Sequence, residues 1–407
     1  MSNDTQPEIR FPGFTDDWEQ RKLGDFVVDY VEKTSVQNQF PMLTSSQQKG
    51  IVLQEDYFAN RQVTTENNIG YFVLPRGYFT FRSRSDNDVF VFNRNDIIDR
   101  GIISYFYPVF TLKSADSDFF LRRINNGIQR QLSIQAEGTG QHVLSLKKFK
   151  NIVAMFPSEE EQQKIGTFFK QLDDTIALHQ RKLDLLKETK KGFLQKMFPE
   201  NGAKVPEIRF PGFTEDWEER KLGGIGKTYT GLTGKSKEDF GHGDAKFVTY
   251  MNVFQNPKAT LEQLENVEID PRQNEVKKGD VFFTTSSETP EEVGMSSVWT
   301  HDINNIYLNS FTFAYRPTIK FDLDYLAFML RSQSVRKKII YLAQGISRYN
   351  ISKTKMMDIS VPIPVNFEEQ QKIGAFFKQL DDTIALHQRK LDLLKETKKG
   401  FLQKMFV

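Results

Sequence analysis

Apolar residues recur at alternating steps of four and three along two long stretches of the chain. The first stretch carries Ile165, Phe169, Leu172, Ile176, Leu183, Leu186, Phe193 and Met197, with the polar residues His179 and Lys190 interrupting the seam. The second carries Ile373, Phe377, Leu380, Ile384, Leu391, Leu394, Phe401 and Met405, interrupted by His387 and Lys398. This heptad spacing predicts two long helices of the coiled-coil type.

The two stretches belong to an internal repeat. Gln162–Phe198 returns as Gln370–Phe406 with one difference, Thr167 against Ala375. A second segment, "PEIRFPGFTDDWEQRKLG" from residue 7, returns from residue 206 with two differences. Each half of the chain therefore consists of a short motif, a variable body and a helix. Duplication alone could keep these segments alike, but the bodies between them have diverged, which favours a functional demand on the flanks.

The bodies alternate strand-like and helix-like runs. "GYFVLPRGYFTFRSRS" and "GDVFFTTSS" have strand character, whereas "SDFFLRRINNGIQRQL" and "LDYLAFMLRSQSVRKKII" have helix character. The prediction is an α+β protein with two mixed α/β bodies, residues 1–157 and 205–365, and two long helices, residues 158–199 and 366–407.

Each apolar seam needs a partner, and the other copy is the obvious one. An antiparallel pair would give the chain approximate two-fold symmetry and would place the first short motif beside the C-terminus, closing a pseudo-ring. The polar interruptions are interpreted as residues that set the register. Pairing between two chains would bury the same seam and remains an alternative.

Composition excludes several kinds of chemistry. The 407-residue chain has no cysteine, so it forms no disulfide, thiolate metal site or cysteine nucleophile. No signal peptide or membrane span is visible, so we expect a cytoplasmic protein. Each repeated helix segment carries eight basic and four acidic residues; because the whole chain has a net charge of +2, the rest is acidic overall.

A search for catalytic motifs finds little. The sequence has no phosphate-binding loop, zinc-protease motif or nucleophile elbow, and "TGLTGKSKEDFGHGD" is read as a loop because no convincing strand and helix flank it. The five histidines show no metal-ligand spacing. We therefore expect no catalytic site, no metal and no bound cofactor in this chain.

The order of these segments resembles the specificity subunit of type I restriction-modification enzymes over essentially the whole chain. "PMLTSSQQKGIVLQEDYF", "GDVFFTTSSETPEEVG", "GISRYNIS" and the "EEQQKIG" entrance to each helix carry the resemblance. It implies two target recognition domains that each read half of a split DNA sequence, joined by an antiparallel coiled coil. It also implies two docked methyltransferase subunits with S-adenosylmethionine, and restriction subunits that use ATP and Mg.

A helix of one repeated segment would be about 55 Å long at 1.5 Å per residue, which suits a ruler between two readers placed about one duplex turn apart. Unlike readers related by approximate two-fold symmetry predict an asymmetric double-stranded target with an unread gap. Because the bodies are not basic, we expect weak, salt-sensitive DNA binding by the isolated chain. The basic helices are either a solvated face or a surface near DNA.

Base reading requires polar side chains on loops that can enter the major groove. The candidates in the first body are Ser45, Gln47, Gln48, Lys49, Arg82, Arg84, Arg130, Gln141 and His142. Those in the second are Lys235, Lys237, Thr285, Ser286, Ser287, Arg336, Arg348, Tyr349 and Asn350. Any one of them taken singly could be an ordinary surface or turn residue. The rival hypotheses are a coiled-coil adaptor that makes no DNA contact and an enzyme with its own active site.

Overall fold

The computed structural model describes residues 6–58, 67–138, 141–200 and 202–406. The predicted boundaries at residues 1 and 407 lie outside these ranges. The chain forms two compact units, one made of residues 1–180 and 390–407 and the other of residues 181–389.

The first unit is an α+β body with the beginning of one long helix and the end of the other. Its strands are β1 (Glu19–Lys22), β2 (Val27–Tyr30), β3 (Leu43–Ser46), β4 (Gly50–Leu53), β5 (Phe72–Pro75), β6 (Phe79–Phe81), β7 (Arg84–Ser85), β8 (Phe92–Arg94), β9 (Arg100–Ile103), β10 (Val109–Leu112), β11 (His142–Val143) and β12 (Val153–Phe156). Its helices are α1 (Gln54–Tyr57), α2 (Ser117–Asn125), α3 (Gln129–Gln135), α4 (Leu146–Lys150) and the start of α5 (Glu159–Lys196).

The second unit contains the end of α5 and a body of the same plan. Its helices are α6 (Tyr250–Gln255), α7 (Leu323–Arg331), α8 (Gln333–Tyr341), α9 (Lys353–Met357) and most of α10 (Phe367–Lys404). Its strands are β13 (Glu218–Lys221), β14 (Gly226–Thr230), β15 (Phe240–Val248), β16 (Leu264–Val267), β17 (Val281–Thr284), β18 (Ser286–Ser287), β19 (Ser296–Val298), β20 (Ile306–Leu308), β21 (Thr312–Pro317), β22 (Tyr349–Asn350) and β23 (Ser360–Ile363).

The two bodies share their sheet topology although their sequences have diverged. A four-stranded antiparallel sheet has the order β2-β10-β6-β8 in the first unit and β14-β21-β17-β19 in the second. Two-stranded ladders also correspond, β1-β12 with β13-β23 and β7-β11 with β18-β22. The differences lie outside this frame: β3-β4 and β5-β9 belong to the first unit, and a sheet of order β16-β15-β20 belongs to the second.

One glycine in each long helix allows a close approach of the body to that helix. Asp116 caps α2 by accepting a hydrogen bond from the amide of Phe119 at 2.8 Å. A Cβ on Gly166 of α5 would lie 2.2 Å from the same Asp116 carboxylate. In the second unit, a Cβ on Gly374 of α10 would lie 2.4 Å from the corresponding cap, Asp322. Glycine therefore lets the body's helix begin directly against the long helix.

The long helices α5 and α10 are each 38 residues and pack together in antiparallel orientation. In the first unit, the Phe168 and Phe401 ring centroids are 5.0 Å apart and Asp173 pairs with Lys398 at 2.5 Å. Because the residue number rises along one helix as it falls along the other, the register is antiparallel.

The second unit contains the equivalent contacts with the two helices exchanged. The Phe193 and Phe376 centroids are 5.0 Å apart, and Lys190 pairs with Asp381 at 2.5 Å. The seam residues predicted from the heptad pattern all lie buried or half-buried, His179 and His387 included. The polar interruption Lys190 thus contributes an ion pair to the register. Among the described residues, no helix has the length and apolar character that crossing a membrane requires.

The short motif binds the end of one long helix and the beginning of the other. In the first unit, the Ile9 amide donates a hydrogen bond to the Lys404 carbonyl at 3.0 Å, and Trp18 packs edge-on against Phe406 at 6.5 Å between centroids. In the second unit, the Ile208 amide donates to the Lys196 carbonyl at 2.9 Å. The repeats predicted this contact between the first motif and the C-terminal end of α10.

A buried ion pair completes each of these junctions. Arg10 donates two hydrogen bonds to the Glu161 carboxylate at 2.7 and 2.8 Å, and Arg209 donates two to Glu369 at the same distances. The Glu161 side chain is fully buried and that of Glu369 is 1% exposed. These hydrogen bonds raise the pKa of Arg10 and of Arg209. Both acidic residues sit in the first turn of a long helix, where the helix dipole also favours a carboxylate.

Replacing Arg209 with methionine should destabilise the second unit, because the buried Glu369 carboxylate would lose its cation. Removing one partner of a buried pair costs about 3 to 5 kcal/mol. We expect a loss of about 3 kcal/mol in the free energy of unfolding, measured by urea denaturation of the full chain.

The matched control is Asp382→Asn, which removes the partner of Lys378 in an exposed ion pair of 2.9 Å. An exposed pair contributes at most about 1 kcal/mol. Equal losses in the two variants would contradict a stabilising role for the buried pair.

Candidate nucleic-acid interface

A two-strand ladder in the first unit brings together candidates that are distant in the sequence. In this first ladder, β7 pairs with β11, so Arg84 and His142 lie on adjacent strands. Gln141 directly precedes β11, and Arg82 lies two residues before β7. Gly138, four residues before β11, has φ of 132°, a conformation that favours glycine. The ladder therefore presents two arginines beside a glutamine and a histidine.

The hairpin of β3 and β4 supplies a second group of candidates. Gln47, Gln48 and Lys49 form its exposed turn. The Ser46 hydroxyl accepts hydrogen bonds from the amides of Gln48 and Lys49 at 3.2 and 3.1 Å, so the turn is held from within. The Lys49 ammonium lies 5.7 Å from the centre of the Tyr57 ring. Two amide side chains are thus presented on an ordered backbone.

The hairpin and the first ladder line one groove of about 550 Å³. Its walls include the predicted residues Ser45, Gln47, Gln48, Arg82 and Arg84, together with Tyr57, Asp86, Asn87 and Asn93. Of the candidates predicted for the first body, these five share one surface depression. Its lining combines cationic, amide, hydroxyl and carboxylate groups, which are the donors and acceptors that distinguish base edges.

Acidic residues contact two of the candidates in the first ladder. The Gln141 side-chain amide donates to Asp86 at 3.0 Å, and the His142 ring nitrogen Nδ1 contacts the Asp88 carboxylate. The Arg84 guanidinium lies 4.4 Å from the centre of the Phe106 ring, which orients it without neutralising its charge. The surface is consequently polar and specific in pattern, and is not a simple cationic patch.

The second unit carries the corresponding ladder with different side chains. In this second ladder, β18 pairs with β22, with Ser286 opposite Asn350 and Ser287 opposite Tyr349. The Thr285 carbonyl accepts a hydrogen bond from the amide of Ile351 at 3.0 Å, which extends the pairing. By this register, Ser286 and Tyr349 stand where the first ladder has Arg84 and His142.

The turn that leads into the second ladder is equally restricted. Gly345 has φ of 146°, and a Cβ there would lie 2.0 Å from the Arg348 carbonyl oxygen. Arg348 is exposed just before β22, and Ile346 is 97% exposed at the tip of the turn. The second ladder therefore ends in a tight, projecting turn that carries one exposed arginine.

The sequence pattern of the type I restriction modification DNA specificity domain family matches residues 15–188 and 214–396. These two matches cover most of the chain, one for each body with the greater part of its long helix. The chain belongs to this family.

Curated relatives of this specificity family include two proteins from Methanocaldococcus jannaschii. The type I restriction enzyme MjaVIII specificity subunit is 24% identical over 284 residues, which cover 67% of the chain and 65% of the relative. The putative type I restriction enzyme MjaX specificity subunit is 26% identical over 208 residues, which cover 47% of the chain and 46% of the relative. The matched region thus spans less than two thirds of either relative.

Solved structures show the same fold over nearly the full chain. The S subunit of a type I restriction-modification system from M. genitalium covers 99% of both chains with a TM-score of 0.57 and 14% identity. A chain from a study of complex assembly and conformational transition of the type I R-M system covers 98% of this chain and 99% of that one, with a TM-score of 0.53 and 16% identity. At these identities the likeness concerns the fold alone.

Some predicted residues of this specificity-family chain lie away from both ladders. Arg130 is exposed on α3, and Lys237 is exposed in a short 3-10 turn. Lys235 is mostly buried and pairs with Asp270 at 3.3 Å. Hydrogen bonds from Arg272 and then from other neighbours, Lys235 among them, hold the pKa of Asp270 well below its usual range. Lys235 is therefore already engaged within the fold.

Arg336 also has a structural environment. Its guanidinium donates to the backbone carbonyls of Gly294, Glu291 and Val293 at 2.8, 2.8 and 2.7 Å. Burial lowers the pKa of Arg336 to about 10. These contacts hold the 3-10 turn that follows the second ladder strand β18, so Arg336 is engaged within the fold.

Two supporting residues were not identifiable from the sequence. The Asn93 side-chain amide donates to the Ser45 hydroxyl at 2.8 Å and to the Ser46 carbonyl at 3.0 Å, which fixes the β3-β4 hairpin. The Tyr250 hydroxyl donates to the Ser286 carbonyl at 2.8 Å and supports the second ladder. No local pattern marks either residue, because each contact joins segments about 36 to 48 residues apart.

Within the described ranges, no group of three or more histidine or carboxylate side chains is placed to hold a metal ion. Two of the described histidines each contact one carboxylate, His142 with Asp88 and His242 with Glu268.

Replacing Gly345 with alanine should open the second ladder, because the new Cβ meets the Arg348 carbonyl in a strained backbone. Strain of this kind costs about 1 to 3 kcal/mol. The Gln344 and Asn350 amides, which donate to each other's carbonyls at 3.0 and 2.8 Å, should exchange with solvent at least about tenfold faster.

Gly224→Ala provides the control, since no atom lies within 4 Å of its Cβ position and its φ is not positive. Hydrogen exchange is measured by mass spectrometry. Equal protection of the ladder amides in the two variants would refute the strain at Gly345.

Proposed function

We propose that this chain is the DNA-recognition subunit of a type I restriction-modification complex and reads a split, asymmetric target. Residues 1–157 and 205–365 act as the two target recognition domains. The observation that carries the proposal is the pair of ladders, which have the same backbone pairing but different side chains. A shared frame with different polar groups suits two readers of two different base sequences.

In the first domain, Gln47 and Gln48 are suited to adenine, because a glutamine side chain matches the N6 and N7 groups of that base. Arg82 and Arg84 are suited to guanine O6 and N7 for the same geometric reason. The ordered hairpin and the stacking of Arg84 on Phe106 reduce the entropy lost when these side chains bind.

In the second domain, the exposed Arg348 and Asn350 have the corresponding roles. Thr285 and Ser286 are half-buried. The Ser286 hydroxyl can either donate or accept a hydrogen bond and so discriminates less strongly, whereas the Thr285 hydroxyl donates to the Phe311 carbonyl and is left only to accept. The second half-site is therefore read by fewer long side chains than the first.

Two methyltransferase subunits dock on the long helices in this proposal. Leu178 of α5 and Leu393 of α10 belong to the first unit and are 58% and 68% exposed. Each lies five residues from the Asp173–Lys398 ion pair in opposite chain directions, so the antiparallel register brings them level. We call these residues the first leucine pair.

The second leucine pair is Leu185 and Leu386 of the second unit, 67% and 58% exposed. It is level in the same way about the Lys190–Asp381 pair. The apolar seam of each long helix is already paired with the other long helix. A leucine that is still exposed can therefore bind a helix of a partner protein. Two equivalent pairs favour two copies of one partner.

The catalytic chemistry belongs to the partners in this proposal. The methyltransferase subunits bind S-adenosylmethionine and methylate adenine, and restriction subunits attached through them use ATP and Mg to translocate and cleave DNA. The specificity chain itself contributes recognition and assembly. Because the segments outside the repeated helices carry net negative charge, most phosphate contacts come from the partners, and DNA binding by the isolated chain is weak and salt-sensitive.

A reader of two half-sites predicts that single-domain variants change one half-site only. Mapping of methylated adenines in DNA exposed to the assembled complex first identifies the target. The Gln47→Ala, Gln48→Ala double variant should then lose about tenfold or more in discrimination at one half-site, since a bidentate base contact provides about 1 to 3 kcal/mol. Arg348→Ala should relax the other half-site and leave the first unchanged.

The control is Gln195→Ala, an exposed glutamine on α5. The rival hypothesis, a coiled-coil adaptor without DNA contact, gains support if the complex methylates no split sequence or if all these variants retain one and the same specificity.

The leucine pairs predict the stoichiometry of the complex. Leu178→Lys with Leu393→Lys should reduce the number of bound methyltransferase subunits from two to one, because charge replaces an apolar contact. Adding Leu185→Lys and Leu386→Lys should abolish binding. Light scattering of the purified mixture gives the mass.

These leucines are exposed, so their replacement should not unfold the chain; circular dichroism checks this. Glu188→Lys, another exposed change on α5, should retain two partners. Retention of two methyltransferase subunits by the fourfold leucine variant would exclude this docking surface.

A further inference from the structure

An exposed aromatic residue lies beside the second ladder. The backbone amide and carbonyl of this residue are already hydrogen-bonded within the fold. Phe311, in the loop between β20 and β21, is 69% exposed. Its carbonyl accepts a hydrogen bond from the Thr285 hydroxyl at 2.8 Å, one residue before β18 begins. The Phe311 backbone is therefore fixed directly on the second ladder.

The same loop is also fixed from its other side. The Asn309 side-chain oxygen accepts a hydrogen bond from the Phe311 amide at 2.9 Å. The Asn309 side-chain amide donates to the Val248 carbonyl at 3.0 Å, and Asn309 is 5% exposed. Both the amide and the carbonyl of Phe311 are thus satisfied within the fold, while its ring remains largely in solvent.

The first unit anchors the corresponding loop in the same way, but there the exposed ring belongs to the residue next to the anchored one. The Phe106 carbonyl, in the loop between β9 and β10, accepts hydrogen bonds from the Ser83 amide at 3.0 Å and the Ser83 hydroxyl at 2.8 Å. The neighbouring Tyr105 is 58% exposed, with its ring centroid 4.3 Å from that of Phe106. Phe106 in turn lies under the Arg84 guanidinium of the first ladder.

Ser83 and Thr285 occupy equivalent places in the two ladders. The Ser83 carbonyl accepts from the Leu144 amide at 2.9 Å, and the Thr285 carbonyl accepts from the Ile351 amide at 3.0 Å. Leu144 and Ile351 each directly follow the second strand of their ladder.

The loop sequences, "SYFYP" and "LNSFT", have little in common. A single exposed aromatic is ordinary on a protein surface. In each loop the carbonyl of an aromatic residue accepts from the ladder hydroxyl, and the exposed ring is that residue itself in the second unit (Phe311) and its neighbour in the first (Tyr105). This shared placement of an exposed ring in two diverged loops indicates a shared demand.

We propose that Phe311 and Tyr105 contact the C5-methyl group of a thymine in the half-site read by their own unit. This inference rests on the proposed DNA-reading function. The thymine methyl is the apolar mark that a base presents in the major groove, and aromatic side chains contact it there. Because the proposed product is methyladenine, each half-site contains an A·T pair and hence a thymine. The aromatic thus adds apolar reading to the polar groups of each ladder.

The test replaces each thymine of the mapped target, one at a time, with uracil, which removes only the methyl group. The wild-type complex should methylate or bind one uracil substitution per half-site about fourfold less well, the expected effect of one buried methyl-sized group. Phe311→Ala should bind the natural target more weakly and lose this uracil penalty in its own half-site only. Tyr105→Ala should do the same in the other half-site.

Phe311→Leu and Tyr341→Ala complete the design. Leucine keeps an apolar surface, so Phe311→Leu should retain part of the uracil penalty. This result distinguishes loss of the methyl contact from a disturbance of the loop. Tyr341, 89% exposed on the last turn of α8, is an aromatic outside the loops described here, and its variant should behave as wild type.

The inference is overturned if Phe311→Ala keeps an unchanged uracil penalty at every thymine. It is also overturned if the variant weakens assembly with the methyltransferase subunit and leaves every uracil penalty intact. Methylation of a split target by the wild-type complex shows in the same experiment that the proposed function stands, so its failure is distinguishable.

Discussion

The buried pair between an arginine of the short motif and a glutamate in the first turn of a long helix is the contact on which each unit depends. Arg10 and Glu161 form it in the first unit, and Arg209 and Glu369 form it in the second, with the same two-fold hydrogen-bonding geometry. A planar guanidinium matches a carboxylate in this way more specifically than an ammonium group could. Each side of the contact restricts the other, so the motif and the helix behave as one structural part that occurs twice.

This junction also explains why the repeated helix ends as it does. Phe198 packs between Trp217 and Phe377 in the core of the second unit, and Phe406 packs between Trp18 and Phe169 in the first. The last turn of each helix is therefore core and not a free end. Large aromatic residues gain considerable free energy by burial, which accounts for the identical last residues of the two copies.

The two bodies differ in sequence and in their additional strands outside the frame that they share. Their four-stranded sheets share one strand order, and the additional strands differ. The ladders lie at the boundary between the shared frame and the variable parts, where backbone pairing is retained and side chains vary. A recognition surface held by a rigid scaffold can change its chemistry without loss of geometry. Serine and threonine hydroxyls bonded to an aromatic loop show the same principle at Ser83 and Thr285.

Sequence patterns were sufficient for the long helices and favoured an antiparallel pair with the first motif beside the C-terminal end, whereas the structure decided between pairing within one chain and pairing between two chains. They were sufficient because heptad spacing and near-identical repeats are visible along the chain itself. The α+β class followed in the same way from alternating strand-like and helix-like runs.

Tertiary structure alone decided which polar residues face solvent and which support the fold. Arg336 and Arg348 look alike in the sequence, yet backbone carbonyls surround the first and the second is exposed. Asn93 and Phe311 acquire their roles from partners about 26 to 48 residues away. Hydrogen bonds between distant segments leave no local period, so only the folded chain shows them.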